Sequence, residues 1–394
     1  MGRRARVMTA ITCLALTAAL AGCGKSGIAV PGELDVRTLD TGSYPVNRYT
    51  YDRNNGGKGA TLEGIRMTAA VAPSDRIDPA LNIGRGGAVL AGVDDVLNVS
   101  HLASAVKNVL VNRGFLAGFA SSGSDREDVN DNPDPNGTTI TTRVLRFPTT
   151  DAAKLAAREL EDADFSVALN TNQKLTLPDY PDAYAHWRPG VPTIGVAMAH
   201  KDFVISLFIL RPTADVQGLL SWTKKTLDAE VPVLDAFQAT PADQIAQLPL
   251  DPDRLLARTL VADRDHRTVD PDKFAVFPAN WLVLPSDDLK SWTKLVADTG
   301  ADEMSVAEGS FVIRVRDAGA AGDLVTGMIS NLQETSASAP DKVPDATCVH
   351  RSSDKKPSRC YIRYKQYVGV MDGANDAEAQ KKAVAQYALL ANSL

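Results

Sequence analysis

Apolar and polar positions along this chain switch between a helical and a strand period several times, and they do so twice in a similar order. Over His101–Gly114, Leu102, Ala105, Val106, Val109 and Leu110 fall at i, i+3, i+4, i+7 and i+8, the spacing of one helix face. Ser100 is placed to cap that helix and Gly114 to stop it. A short strand over Phe115–Ala120 follows, then a polar loop over 121–138 ending in the turn pair Asn136-Gly137. Thr139–Phe147 is rich in β-branched residues and reads as a strand. Thr149-Thr150-Asp151 opens a helix to Asp162 with Ala153, Ala156, Ala157 and Leu160 on one face. Residues 171–192 read as a Pro- and Tyr-rich loop. Thr193–Ala199 and Phe203–Leu210 are apolar strands around the turn His200-Lys201-Asp202. The second is apolar on both faces, which puts it in the middle of a sheet. Asp215 then caps a helix carrying Leu219, Leu220, Thr223 and Leu227.

The second half runs through the same sequence of elements. Ser286 or Asp287 caps a helix with Leu289, Trp292, Leu295 and Val296, and Met304–Ala307 and Phe311–Arg316 are strands. A helix over Asp323–Leu332 comes next. Cys348–His350 and Cys360–Met371 are strands around a charged tip, and Asp376 caps a last helix. The expected fold is α+β: two structurally similar domains, each an antiparallel sheet packed with helices in the order helix-strand-strand-helix-strand-strand-helix. The boundaries expected are 61–230 and 276–394, joined by a Pro- and Asp-rich linker with short helices over 231–275. Residues 23–60 are a tether and an extended arm laid on the first domain.

The first 22 residues stand apart. Arg3, Arg4 and Arg6 precede an apolar run from Met8 to Leu20, the pattern of a secretory signal and too short for an ordinary membrane span. Leu20-Ala21-Gly22-Cys23 matches a bacterial lipobox, in which the Cys23 thiol takes a diacylglycerol and becomes the first residue after cleavage. Two acyl chains suffice to hold a protein on a membrane. The expectation is a lipid-anchored protein on the outer side of the cell membrane.

The remaining composition narrows the function. The 394 residues carry a formal charge of −6, and losing three Arg and no acid with residues 1–22 leaves −9. That excludes an ordinary nucleic-acid binder and a polybasic grip on lipid. Four Cys occur. Cys13 leaves with the signal and Cys23 is the lipid site, so Cys348 and Cys360 remain and read as a disulfide in an exported protein. No metal or cofactor is expected. The five His form no His-Glu-x-x-His pattern, and there is no Gly-x-Ser-x-Gly elbow. Gly84-Arg85-Gly86-Gly87 is too short for a phosphate loop. Asp125–Asn136 alternates oxygen-bearing side chains, but Pro133 and Thr139 stand where a calcium loop needs Gly and Glu. His186-Trp187-Arg188 is the candidate ligand contact. Trp187 either walls a pocket beside His186 and Arg188, or docks a loop on the domain edge with Arg188 stacked on it.

Four blocks carry a family resemblance: Asp35–Pro45, Arg143–Pro148, Tyr184–Gly190 and Leu248–Pro252. Together they resemble an uncharacterised family of large lipoproteins of mycolic-acid actinobacteria, of the mycobacterial and nocardial type. The resemblance implies an envelope lipoprotein and lends no catalytic residue. The expected function is therefore non-catalytic, binding a ligand or an envelope partner. The alternatives are an envelope hydrolase with a dispersed Ser/His site, or a lipid carrier.

Overall fold

The computed structural model describes residues 34–51, 54–98, 102–352 and 355–394. The signal, Cys23, Ser100 and His101 lie outside the described residues. Residues up to Arg37 form one unit and Thr38–Leu394 another. The second unit holds the fold.

Its first half runs α1 (Gly59–Arg66), α2 (Ser74–Ile77), β1 (Ile83–Leu90), α3 (Val93–Asn98), α4 (Lys107–Arg113), β2 (Ala117–Ser124), β3 (Thr139–Arg146), α5 (Thr150–Ser166), β4 (Gln173–Leu175), β5 (Ala183–Trp187), β6 (Thr193–His200), β7 (Phe203–Leu210) and α6 (Val216–Ala236). Its second half runs β8 (Phe274–Pro278), α7 (Leu289–Thr299), β9 (Glu303–Ala307), β10 (Ser310–Arg314), α8 (Ala318–Asn331), β11 (Thr335–Ala337), β12 (Thr347–His350), β13 (Ser358–Tyr364), β14 (Tyr367–Gly373) and α9 (Asp376–Ser393). The fold is α+β, with two antiparallel seven-stranded sheets. Their strand orders are β1-β2-β3-β7-β6-β5-β4 and β8-β9-β10-β14-β13-β12-β11. Each strand of the first sheet has its counterpart seven strands later in the second, so the duplication is one of topology. In both copies a long helix, α5 or α8, crosses from the third strand to the fourth.

Local chemistry accounts for the ends of these elements. The hydroxyl of Thr149 accepts from the Ala152 amide, and Asp215 accepts from Gln217 and Gly218. α7 and α9 are capped by Asp288 and Asn375, each one or two residues away from the cap expected from sequence, and α8, capped by Asp317, starts several residues before the expected Asp323. β7 is the fourth of seven strands; its apolar run is buried on one face throughout and on the other up to Ser206, beyond which Phe208 is exposed. Three strands in each half escaped the sequence pattern. β4 and β5 lie within 171–192, read as a loop, and β1 is rich in glycine. β8, β11 and the division of 358–373 into a hairpin are the equivalents in the second half.

The two repeats touch along the glycines of β1. Gly84 N donates to Ser286 O at 2.8 Å and Gly86 N to Leu284 O at 3.0 Å. A Cβ at Gly84 would stand 2.1 Å from Leu284 O, so only glycine lets the two backbones approach there. Trp281 stacks on Phe277 and meets Phe119 edge-on, with centroids 4.2 and 6.1 Å apart. The arm over 44–51 lies on the second repeat, contrary to expectation. Arg264 Nη1 donates to Asn47 O at 3.0 Å, Asn392 Nδ2 donates to Val46 O at 2.8 Å, and Tyr51 packs edge-on against Phe274. The expected linker starts later than its composition suggested, because α6 continues through Pro232 to Ala236.

Candidate functional site

β3 carries two arginines three residues apart, and the period of two sends them to opposite faces. Arg146 is 3% exposed and clamps the repeat from within. Its guanidinium pairs with Glu63 of α1, which is fully buried, and donates to Thr240 O. Glu63 also accepts from the Thr240 hydroxyl at 2.7 Å, which ties α1, β3 and the segment after α6 together. Arg143 faces the other way, into a cavity.

That cavity has a volume of about 550 Å³. It lies on the face of the first sheet that bears α5. The small residues Ala153, Ala156 and Ala157 let α5 sit close over part of this face. The rest of the face is open. Register places Thr141, Phe208, Gly195 and His186 in one row across β3, β7, β6 and β5, and Arg143, Ser206 and Ala197 in the next. Glu161 and Asp164 of α5 form one wall, and Leu102 and Val106 ahead of α4 form another.

His186 is held between two carboxylates. Its Nδ1 is 3.0 Å from Glu161 Oε1 and its Nε2 is 3.8 Å from Asp164 Oδ2. Phe165 meets the imidazole edge-on at 5.8 Å. The ring lies over Gly195, where a Cβ would come within 3.3 Å of His186 Cε1. Lys174 pairs with Glu161 and, at 2.7 Å, with Asp162. Its ammonium is raised above the usual lysine range, because those two hydrogen bonds outweigh its burial. Burial pushes the Arg143 guanidinium down to about 10, with the Asp164 carboxylate opposing the shift. The Ser206 and Thr139 hydroxyls line the cavity and make no hydrogen bond among the described residues. Phe208 lies on the floor and is 42% exposed.

The expected trio does not converge. Trp187 follows His186 on a strand, so it points through the sheet and packs against the core under α6. Arg188 Nε donates to Asn172 Oδ1 at 3.3 Å, away from the Trp187 ring. His186 alone reaches the cavity. No hydrogen bond joins it to Ser206 among the described residues, and its Nδ1 is engaged by Glu161. Arg143, Phe208 and Ser206 were missed as site residues. Arg143 opens the segment Arg143–Pro148 that carries part of the family resemblance, and a charged residue in the middle of a β-branched strand was the available signal.

The second repeat has a cavity of about 720 Å³ on the corresponding face, beside α7 and α8. Its floor is apolar: Met304, Phe311, Ile313 and Val370, with Trp292 above. One end is closed by a charged cluster. Arg359 grips Asp372 across the strands at 2.6 and 3.0 Å, and Arg351 reaches Asp372 at 2.8 Å. Arg359 also meets Glu334 at 3.3 Å, and Tyr361 Oη donates to Glu334 Oε2 at 2.6 Å. Burial raises the Glu334 carboxyl and the Tyr361 phenol. On the opposite face, Cys348 and Cys360 sit directly across β12 and β13 and form a disulfide. Among the described residues no group of three or more His, Cys, Asp or Glu is placed to hold a metal ion. No described helix is long and apolar enough to cross a membrane.

Residues 50–250 match the N-terminal domain of unknown function DUF7373, and residues 255–393 match its C-terminal domain. The chain belongs to the DUF7373 family. The two matched segments divide the chain between the two sheets, so the family pairs the repeats. No curated protein matches the chain. The extracellular domain of PknH from Mycobacterium tuberculosis, a crystal structure, is similar at 12% identity and a TM-score of 0.28, over 43% of this chain and 93% of that one. A likeness of that size says nothing of function.

Proposed function

We propose that this DUF7373 protein is a lipid-anchored envelope lipoprotein of mycolic-acid actinobacteria that binds a ligand without transforming it. The anchor is Cys23, behind a basic and apolar signal. The binding site is the open sheet face of the first repeat. The observation that carries this reading is a 550 Å³ concavity where a buried cation, two hydroxyls and an exposed aromatic ring converge. Ligand sites combine an apolar surface with a few placed polar groups in this way. The imidazole's Nε2, the nitrogen that would activate a nucleophile, faces the Asp164 carboxylate at 3.8 Å and no serine hydroxyl among the described residues, which favours binding over acyl transfer.

Two measurements test it. Cys23→Ser should move the protein from the membrane fraction to the soluble or unprocessed fraction; unchanged retention overturns the anchor. Native mass spectrometry of residues 24–394, secreted by a related host, should show a bound small molecule that is lost on substitution at the first-repeat cavity. A clean mass with no thermal shift from any small molecule overturns the binding role.

A further inference from the structure

Beyond the first-repeat site and independently of it, we infer that the second-repeat cavity takes one long acyl chain carrying an uncharged ester head. The grading of its floor, the pairing of its charges and one unanswered donor carry the inference.

The floor changes character along the strands. Met304 and Ile313 stand opposite each other on β9 and β10, and Phe311 stands opposite Val370 of β14 one step further on. The next step on the same face is Asp372, opposite Arg359 of β13. Residues two apart share a face and lie about 7 Å apart, so the floor passes from methionine and isoleucine to an ion pair over about 14 Å. Trp292 of α7 and Met328 of α8 form the roof of a space of about 720 Å³. An elongated amphipath matches this gradient, with its chain on the apolar rows and its head toward the pair. A compact polyol would leave its hydroxyls unanswered on those rows. Methionines on floor and roof adapt to a flexible chain.

The charges at the polar end answer one another. Two guanidiniums, of Arg351 and Arg359, meet two carboxylates, of Asp372 and Glu334. An anionic head would find its cations already engaged, and Asp287 and Asp288 border the same cavity. A cationic head would face both arginines. An uncharged head meets neither repulsion.

The donor is on the wall. Asn331, at the end of α8, lines the cavity, and its Nδ2 is buried without an acceptor among the described residues. A buried donor left this way costs stability unless water or a ligand accepts from it. An ester carbonyl is such an acceptor and carries no charge. Leu332 beside it also lines the cavity and is 41% exposed, so apolar surface continues from the interior to solvent and offers a chain its way in.

The test is titration of residues 24–394, stripped of bound lipid, with monoacylglycerols of decreasing chain length, with palmitate and with a sterol. A monoacylglycerol brominated in mid-chain serves as a contact quencher of tryptophan fluorescence. The expected result is saturable binding of one chain, about fourfold weaker for each methylene removed, with palmitate the weaker ligand at equal length. The brominated chain should quench the parent protein, and Trp292→Phe should remove most of that quenching while calorimetry still finds the glyceride bound. Leu332→Asp, at the exposed edge, should weaken binding by about tenfold and leave the unfolding midpoint near that of the parent. Asn331→Ala should weaken it by about fivefold. Quenching that survives Trp292→Phe puts the chain elsewhere and overturns the inference. So do an affinity that ignores chain length, a sterol or palmitate that binds more tightly than the glyceride, and failure of every chain to bind. None of these outcomes bears on the first-repeat site, whose ligand is lost on first-repeat substitution alone.

Discussion

The two repeats share one strand order but leave their corresponding faces in different states, and side-chain size and charge pairing make the difference. In the first, alanines on α5 and small residues on β6 bring the helix close, and the sheet beyond its reach is polar and open. In the second, close packing has moved to the other face. A Cβ at Gly373 would stand 2.5 Å from Ala379 N, so α9 lies almost on β14, while Trp292 and Met328 hold α7 and α8 off the sheet above an apolar cavity. The arginines follow the same division. Arg359 grips three carboxylate oxygens, both of Asp372 and one of Glu334, whereas Arg143 lines an open cavity beside the part-exposed Asp164. One topology thus gives one copy an apolar face with its charges paired and the other an open, polar one.

The sharpest way to break that comparison is to truncate the two arginines. Arg359→Met leaves Asp372 and Glu334 buried without their partner and should cost about 3–5 kcal/mol in chemical denaturation. Arg143→Met leaves the part-exposed Asp164 in reach of water, so it should cost less than Arg359→Met, and it should abolish ligand binding. Equal destabilisation by both would make Arg143 structural and remove the distinction.

Next in size is the disulfide. Cys348 and Cys360 are separated by 12 positions, and removing both thiols should cost about 2–4 kcal/mol by the chain-entropy argument. The loss should fall on the second repeat and leave first-repeat binding intact. A free-thiol assay on non-reduced protein should find neither cysteine reactive.

The remaining contrast is a pH dependence confined to the first repeat. Glu230 of α6 is fully buried, and burial pushes its carboxyl up to about 8 against an ordinary value of 4.5. Its Oε2 accepts from Ala72 N at 2.9 Å. The folded protein therefore holds a proton that the unfolded chain has released. Stability is greatest below the unfolded value and falls as pH rises from there through about 8. Glu230→Gln should flatten the unfolding midpoint between pH 5 and 9 and raise it at the alkaline end. A parent profile that rises with pH across that window would contradict the assignment.

Much of the fold was legible because it is locally encoded. α5, α6 and β7 announce themselves through a cap, a helical stripe or an uninterrupted apolar run. β1 was hidden because its glycines serve a contact with residues 284–286, a partner far along the chain. β4 and β5 were hidden because they are short, and their Tyr, Pro and Asp neighbours read as loop. With β5 unrecognised, His186 and Trp187 looked like one cluster. The strand period separates them onto two faces.

The sequence by itself determined the signal and lipobox pattern, the caps of α5 and α6, the central strand, the twofold order of elements and the pairing of the last two cysteines. All of these depend on neighbours within a turn or a strand. Only the tertiary structure decided which copy keeps an open polar face. Arg143 and Arg146 are the same residue type three positions apart, and nothing local says that one clamps a buried glutamate while the other faces a cavity. Their surroundings are supplied by α1, α5 and β7, from distant parts of the chain, and those surroundings set the dielectric and the partners of each charge.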